Sequence, residues 1–486
     1  MLIKKLRVSQ EEAVSRAMEH DGFFLFMEQR TGKTLTALAI AEKRKPAVIF
    51  IITILKGIRV WKEEIKQSLK IDWPCQVVIT HYQGLYKHRK TWRAKFREWK
   101  KASKDAIIIC DESHFIKKRG SKIGRVVRSI GKLARYRLAL TGTPLSPRSS
   151  VKRRKRTAPK LTVLSGMQDA WAQFDFINPA VFGKYEKFQK KYLLLGGFRG
   201  FQVIGYRNQK HFNKILHQYS YRKLLKEIQE KQTKIRRIKV SFKLDKRTRK
   251  AYDLMDRKMY TIVNGRRIAI PLLVSRTIKL QQIAGGFIKD TEENEILDIG
   301  LSKLERLERL LERIVSKDHG EKVVICAKFI HELDLIERLC SSMGLTHQTI
   351  KGGVEFDGEF NVQVMLIQIQ SGVAIDLAKA NSFIFYSLSH KHIDYEQAKF
   401  RILSYSKQRA TYYYLLAKDT IDELVYEACT KKKDLITLIL DHYRRNQNEQ
   451  FARTRGSRRI QPLSQRGDRR RRRRGPGQRR WQRVGQ

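Results

Sequence analysis

Cysteine is scarce and never closely paired. The five, at positions 75, 110, 326, 340 and 429, offer no short spacing for a zinc knuckle or a redox dithiol, and they read as reduced interior residues. No apolar run approaches the length of a membrane span, and residues 1–8 are basic without the apolar stretch of a signal peptide. The sequence therefore predicts a soluble, intracellular protein with no membrane partner. Carboxylates are also few: 48 Asp and Glu stand against 102 Lys and Arg, a formal charge of +54. That field exceeds what solubility needs and attracts polyanions, which points to nucleic acid as the partner. Apolar residues are plentiful. At 41% of 486 residues they allow packed cores in two or three domains and exclude disorder throughout.

From 22 to 142, short apolar runs (23–27, 47–52, 77–80, 107–110 and 137–141) alternate with helical patterns such as 34–42. Strands alternating with helices predict a parallel sheet covered on both faces, with ligands at the carboxyl ends of its strands. Lys33 and Asp111 fall after such runs, and Thr141 ends one. A second α/β unit repeats the pattern, with strands expected at 322–326, 362–367, 383–386 and 411–416. Before the first of these, Leu304, Leu307, Leu310, Leu311 and Ile314 draw one helix face, and Ser302 with Glu305 predicts a capping box at its start.

Between the units, 171–232 is rich in aromatics and Lys and reads as a largely helical subdomain without a core of its own. The basic stretch VKRRKRTAPK (151–160) reads as an exposed insertion, and the Arg-rich segment after about 446 as disordered. The expected fold class is thus α/β. It has a first lobe over 1–165, a helical insertion over 166–235, a second lobe over 236–445 and a disordered tail over 446–486.

Gly32-Lys33-Thr34 is weak as a tripeptide, but here it follows an apolar run and opens a helix, the arrangement an anion site needs. Backbone N–H groups of the turn face phosphates, Lys33 adds a point charge, and the Thr34 hydroxyl can ligate Mg²⁺. The loop is poor in glycine, and Arg30 either strains the turn or adds a phosphate contact. Asp111 and Glu112 end a buried strand on the opposite wall; one carboxylate can hold Mg²⁺ through water while the next orients an attacking water. ATP and Mg²⁺ are the expected ligands.

These motifs resemble those of superfamily 2 helicases, and within them the Swi/Snf-type DNA translocases, particularly compact forms carried by bacteriophages. Gln10 matches the adenine-reading glutamine, Lys33 and Thr34 motif I, Asp111 to His114 (DESH) motif II, and Thr141 to Pro144 (TGTP) motif III. Trp61 and Glu64 match the segment after motif Ia, and DAWAQFDFINP with Tyr221-Arg222 resembles the Swi/Snf-type connection. VVICAKF (323–329) resembles motif IV, QSGVAIDL (370–377) motif V, and Gln397 with Arg401 motif VI. The chain departs from the pattern at Ser404, where a second arginine is usual, and at Ala374, where glycine is customary; Arg409 is a possible substitute for the arginine.

The resemblance implies two tandem RecA-like lobes with ATP between them and double-stranded DNA tracking across both. It implies nucleotide contacts from Gln10, Arg30, Thr31, Gly32, Lys33, Thr34 and Gln397, and a catalytic set of Lys33, Asp111, Glu112 and Arg401, with Thr34 and Asp111 toward the metal. Coupling to nucleic acid falls to Thr80, His114, Thr141, Thr143, Ser371 and Gly372. The expected activity is an ATP-dependent DNA translocase, cytoplasmic in a bacterial or phage-infected cell, or nuclear in a eukaryotic host. Two alternatives are an ATP-dependent nucleic-acid clamp with impaired hydrolysis and a basic annealing or packaging protein. For the basic stretches, phosphate binding is favoured over nuclear targeting or a merely solvated charge run.

Overall fold

In the computed structural model, the described residues are 2–69, 75–142, 166–196, 200, 202–229, 232–258, 260–263, 266–269, 273–290, 292–316, 320–352, 360–370, 377–431, 435, 438 and 439. The basic insertion, the Arg-rich tail, Thr143, Ser371, Gly372 and Ala374 lie outside them.

Strands β1 (Gly22–Met27), β2 (Val48–Thr53), β3 (Gln76–His81), β4 (Ala106–Cys110), β5 (Tyr136–Leu140) and β6 (Ser220–Lys223) form one sheet, ordered β3-β2-β4-β5-β1-β6. Every neighbouring pair is parallel. Successive side chains of a strand point to opposite faces, so near-continuous apolar runs feed two cores at once. Phe24, Phe26, Phe50, Ile52 and Ile108 face one side; Phe23, Leu25, Ile49, Ile51, Ile107 and Ile109 face the other. The second face is covered by α1 (Val8–Met18), α2 (Lys33–Arg44) and α3 (Gly57–Ser68), through residues such as Ala13, Leu38 and Trp61.

The first face explains the aromatic insertion. Phe174, Phe176, Phe182, Phe188 and Phe212 join the same cluster as Phe24 and Phe50, so this stretch roofs the first sheet and has no separate core. Each fully buried Phe contributes about 1.5–3 kcal/mol relative to exposure. The stretch is less helical than expected: it contains β6 and an antiparallel hairpin, Leu193–Gly196 with Gln202–Tyr206. β6 reads SYRK and has no apolar run; pairing with β1, from Phe24 opposite Ser220 to Met27 opposite Lys223, imposes its conformation.

A second all-parallel sheet follows the order β9-β10-β8-β11-β12-β7. Its strands are β7 (Lys234–Phe242), β8 (Val323–Ala327), β9 (His347–Ile350), β10 (Val364–Gln368), β11 (Ser382–Phe385) and β12 (Arg409–Ala417). β7 and β9 escaped the sequence reading because both are short of continuous apolar residues and lie at the sheet's edges. Leu307, Leu310, Leu311 and Ile314 of the helix Ser302–Val315 pack on one face, as their spacing predicts. The expected capping box does not form. Ser302 is already inside the helix, and its hydroxyl donates to Asp245 Oδ2 at 2.7 Å, a partner 57 positions away.

Among the described residues no helix is long and apolar enough to cross a membrane. None of the five cysteines is in a disulfide.

Candidate active site

The three central strands β4, β5 and β1 are neighbours, and their carboxyl ends deliver Asp111, Thr141 and the loop before α2 to one edge of the sheet. Thr141 donates its backbone N–H to Leu25 O at 3.2 Å. Gly142 then lies against the loop, where a Cβ would come within 3.6 Å of Met27 O and 3.7 Å of Gln29 N.

The loop folds through two left-handed residues, Arg30 at φ +67° and Gly32 at φ +87°. Gly32 is required twice over, since a Cβ there would also meet Gln10 Nε2 at 2.5 Å. Thr31 is buried and donates its hydroxyl to Glu28 O at 2.7 Å, which closes the turn. Gly32 is the N-cap of α2, so Lys33 and Thr34 stand in the helix's first turn, where unpaired N–H groups and the positive dipole end favour an anion. Gln10 is buried beneath them. Its Nε2 donates to Gly32 O at 3.1 Å and its Oε1 accepts Arg7 N–H at 2.9 Å. Gln10 thus ties the loop, through its amide nitrogen, to the start of α1, through its amide oxygen.

Asp111 is held by donors that the sequence reading did not assign to it. Thr53 Oγ1, at the end of β2, and the Trp61 indole N–H on α3 donate to its Oδ2 at 3.0 and 2.9 Å. The Glu112 N–H donates to Oδ1 at 3.0 Å, and the Tyr82 hydroxyl takes the Asp111 carbonyl at 2.6 Å. A parallel sheet aligns the ends of β2 and β4, so a hydroxyl at the level of an acidic residue one strand away was the available signal. Burial and the adjacent Glu112 charge push the Asp111 carboxyl up, with Trp61, Lys33 and Thr53 opposing.

Glu112 has φ +51°, a left-handed turn that starts the short helix Ser113–Ile116. Burial alone would raise its carboxyl; His114, with Nδ1 3.2 Å from Oε2, then Lys33 and Arg401, outweigh burial and lower it. Ser113 is buried and donates to Gln173 Oε1 at 3.0 Å, tying this segment to the helix Gln168–Ile177. Thr80 stands near the end of edge strand β3, in register with Ile52.

From the second lobe, Arg401 occupies a single turn, Phe400–Ile402, and is 6% exposed. Arg30 Nη2 donates to its carbonyl at 3.2 Å, across 371 positions. Gln397 is half-buried on the preceding helix, His392–Lys399. Ser404 faces the connector, its carbonyl accepting Gln229 Nε2 at 2.8 Å. Arg409 is exposed at the start of β12, opposite Lys234.

The residues fit Mg²⁺. Thr34 and Asp111 supply hard oxygens, and Asp111 stands half-buried beside Glu112, with burial and the Glu112 charge pushing its carboxyl up, a site that favours an added cation. No group of three or more His, Cys, Asp or Glu among the described residues could hold a metal, so a cation here would need oxygens from its ligand.

The model of the SNF2-related domain family matches residues 29–284. An uncharacterised ATP-dependent helicase of Mycoplasma genitalium is 23% identical over 485 residues, covering 90% of this chain and 43% of the relative. The SWI/SNF-related matrix-associated actin-dependent regulator of chromatin subfamily A member 1 of mouse is 21% identical, covering 77% and 34%. The chain thus spans less than half the length of either. The Sulfolobus solfataricus SWI2/SNF2 ATPase core, solved in complex with double-stranded DNA, aligns over 88% of this chain and 91% of its own at 18% identity and a TM-score of 0.39.

Proposed function

The chain belongs to the SNF2-related domain family, and on that premise we propose that it is a nucleic-acid-stimulated ATPase that moves along double-stranded DNA. The observation that carries the reading is geometric: Arg401 of the second lobe lies against the loop of the first, its carbonyl accepting Arg30 Nη2 at 3.2 Å, and with His114 and Lys33 it lowers the carboxyl of Glu112. An anhydride-hydrolysing site needs a cradle, a water-orienting carboxylate and a cation opposite, and Lys33, Glu112 and Arg401 supply them.

The loop around Gly32 and the first turn of α2 bind the triphosphate, with Lys33 along its terminal phosphates. Glu112, kept anionic by His114, Lys33 and Arg401, accepts a hydrogen bond from the attacking water and aligns it. Arg401 brings positive charge to the face opposite Lys33, where charge builds on the transferring phosphoryl group. Thr34 and Asp111 would hold Mg²⁺, which would neutralise charge at the phosphates. Gln10 and Gln397 border the nucleotide. His114, Thr80, Thr141, Thr143, Ser371 and Gly372 couple the cleft to nucleic acid. The excess of basic residues supports a phosphate-backbone partner.

Phosphate release measured with double-stranded DNA, single-stranded DNA and RNA side by side, across a salt titration, tests the proposal. Stimulation by duplex DNA above a Glu112→Gln control is expected. Turnover no greater than that control would leave an ATP-dependent clamp. Displacement of a triplex-forming strand by the ATP-driven protein checks translocation.

A further inference from the structure

We propose that Arg30 is a positioning residue: it ties the phosphate loop of the first lobe to the backbone of Arg401 in the second, so that the loop sets where the Arg401 guanidinium stands. The inference deepens the ATPase reading and rests on it.

Arg30 holds a left-handed backbone, φ +67°, that side-chain-bearing residues rarely adopt. Its neighbours over-determine that conformation. Thr31 closes the turn onto Glu28 O, the Glu28 N–H donates to Lys223 O at 2.9 Å, and Gln10 clamps Gly32 O. A strained residue kept in place by its surroundings motivates a search for what its side chain does. Here the side chain crosses to the other lobe and donates through Nη2 to the Arg401 carbonyl at 3.2 Å.

That carbonyl is a junction. It also accepts the Leu377 N–H at 3.2 Å, so two donors occupy its two lone pairs. Arg401 itself lies on one turn of 3₁₀ helix, Phe400–Ile402, an element with little internal support. Further along, Arg7 lies 4.6 Å over the Tyr405 ring and Gln229 takes the Ser404 carbonyl. Those contacts hold the segment's far end; Arg30 makes a direct contact from the loop to the Arg401 backbone. The loop that binds phosphates therefore also holds the opposing arginine, and filling the cradle and placing Arg401 become one event.

The test is a double-mutant cycle on ATP turnover with duplex DNA. Asn and Gly both tolerate a left-handed backbone, so Arg30→Asn and Arg30→Gly remove the tie without straining the turn. Each should lower kcat about 10–100-fold while moving the KM for ATP less than about threefold, because an interaction made through Arg401 is realised in the transition state. In an Arg401→Ala background, Arg30→Asn should change kcat by no more than about twofold. Equal effects of Arg30→Asn in both backgrounds would show that Arg30 acts on phosphate directly and would overturn the inference. So would a raised KM with unchanged kcat, or no effect in a wild type that hydrolyses ATP. A wild type no faster than Glu112→Gln would sink both the ATPase reading and this one.

Discussion

In the first lobe's cleft, Asp111 and Glu112 are half-buried side by side, and the groups that touch the Asp111 carboxylate are neutral: a hydroxyl, an indole N–H and a backbone N–H. In the second lobe, Lys303 and Asp422 are 1% and 4% exposed and face each other at 3.0 Å. Close by, Lys328 Nζ donates to Gln281 Oε1 at 2.5 Å, and Ser387 donates to the buried Glu332. The first arrangement sets the Asp111 charge among neutral donors and leaves its compensation to Lys33, while His114, Lys33 and Arg401 lower the neighbouring Glu112. The second neutralises itself, as a buried pair must if it is not to lose more by desolvation than it gains. The two regions thus differ in whether a carboxylate's direct partners carry the opposite charge: those of Asp111 do not, and that of Asp422 does.

The difference can be broken at several points. Glu112→Gln should slow phosphate release by about 10²–10⁴-fold, the usual worth of a positioned acid–base group, while leaving ATP binding measurable by filter retention. Lys303→Met strands Asp422 in the second core and should cost about 3–5 kcal/mol in urea unfolding; adding Asp422→Leu should recover most of that loss.

Lys328 sharpens the contrast through pH. Burial lowers its ammonium to about 8 from 10.5, with Glu332, Asp422 and Asp394 opposing. Between those values the unfolded chain binds more protons than the folded one, so stability should rise with pH across that window. Relative to Lys328→Met, the wild type should gain up to about 3 kcal/mol in denaturation run at pH 8 through 10.5. A flat difference would mean that the ammonium is better solvated than its burial implies.

The smallest effect is expected at Trp61→Phe, which keeps the ring and removes the N–H to Asp111. A hydrogen bond to a charged group contributes about 1.5–3 kcal/mol. The half-saturating Mg²⁺ concentration for nucleotide binding, read from a fluorescent ATP analogue, should rise about tenfold with that loss.

Much of this was readable in the chain. Runs such as Phe23 to Met27 and Ile107 to Cys110 are long enough, and apolar enough on both alternations, to specify buried parallel strands, and chemistry-bearing residues at their ends fall at the sheet's carboxyl edge. What escaped was decided elsewhere. SYRK became β6 by pairing with β1, and Ser302 left its expected cap for Asp245.

The sequence by itself therefore determined the two sheets' central strands, the turn that opens α2 and the acidic pair at the end of β4, because each depends on contacts within a few residues or on a local hydrophobic period. Only the tertiary structure decided that Thr53 and Trp61 hold Asp111, that Gln10 braces Gly32, and that Arg30 reaches Arg401. Those contacts join residues 22 to 371 positions apart. No local periodicity encodes such a meeting; it exists once packed sheets bring their strand ends together.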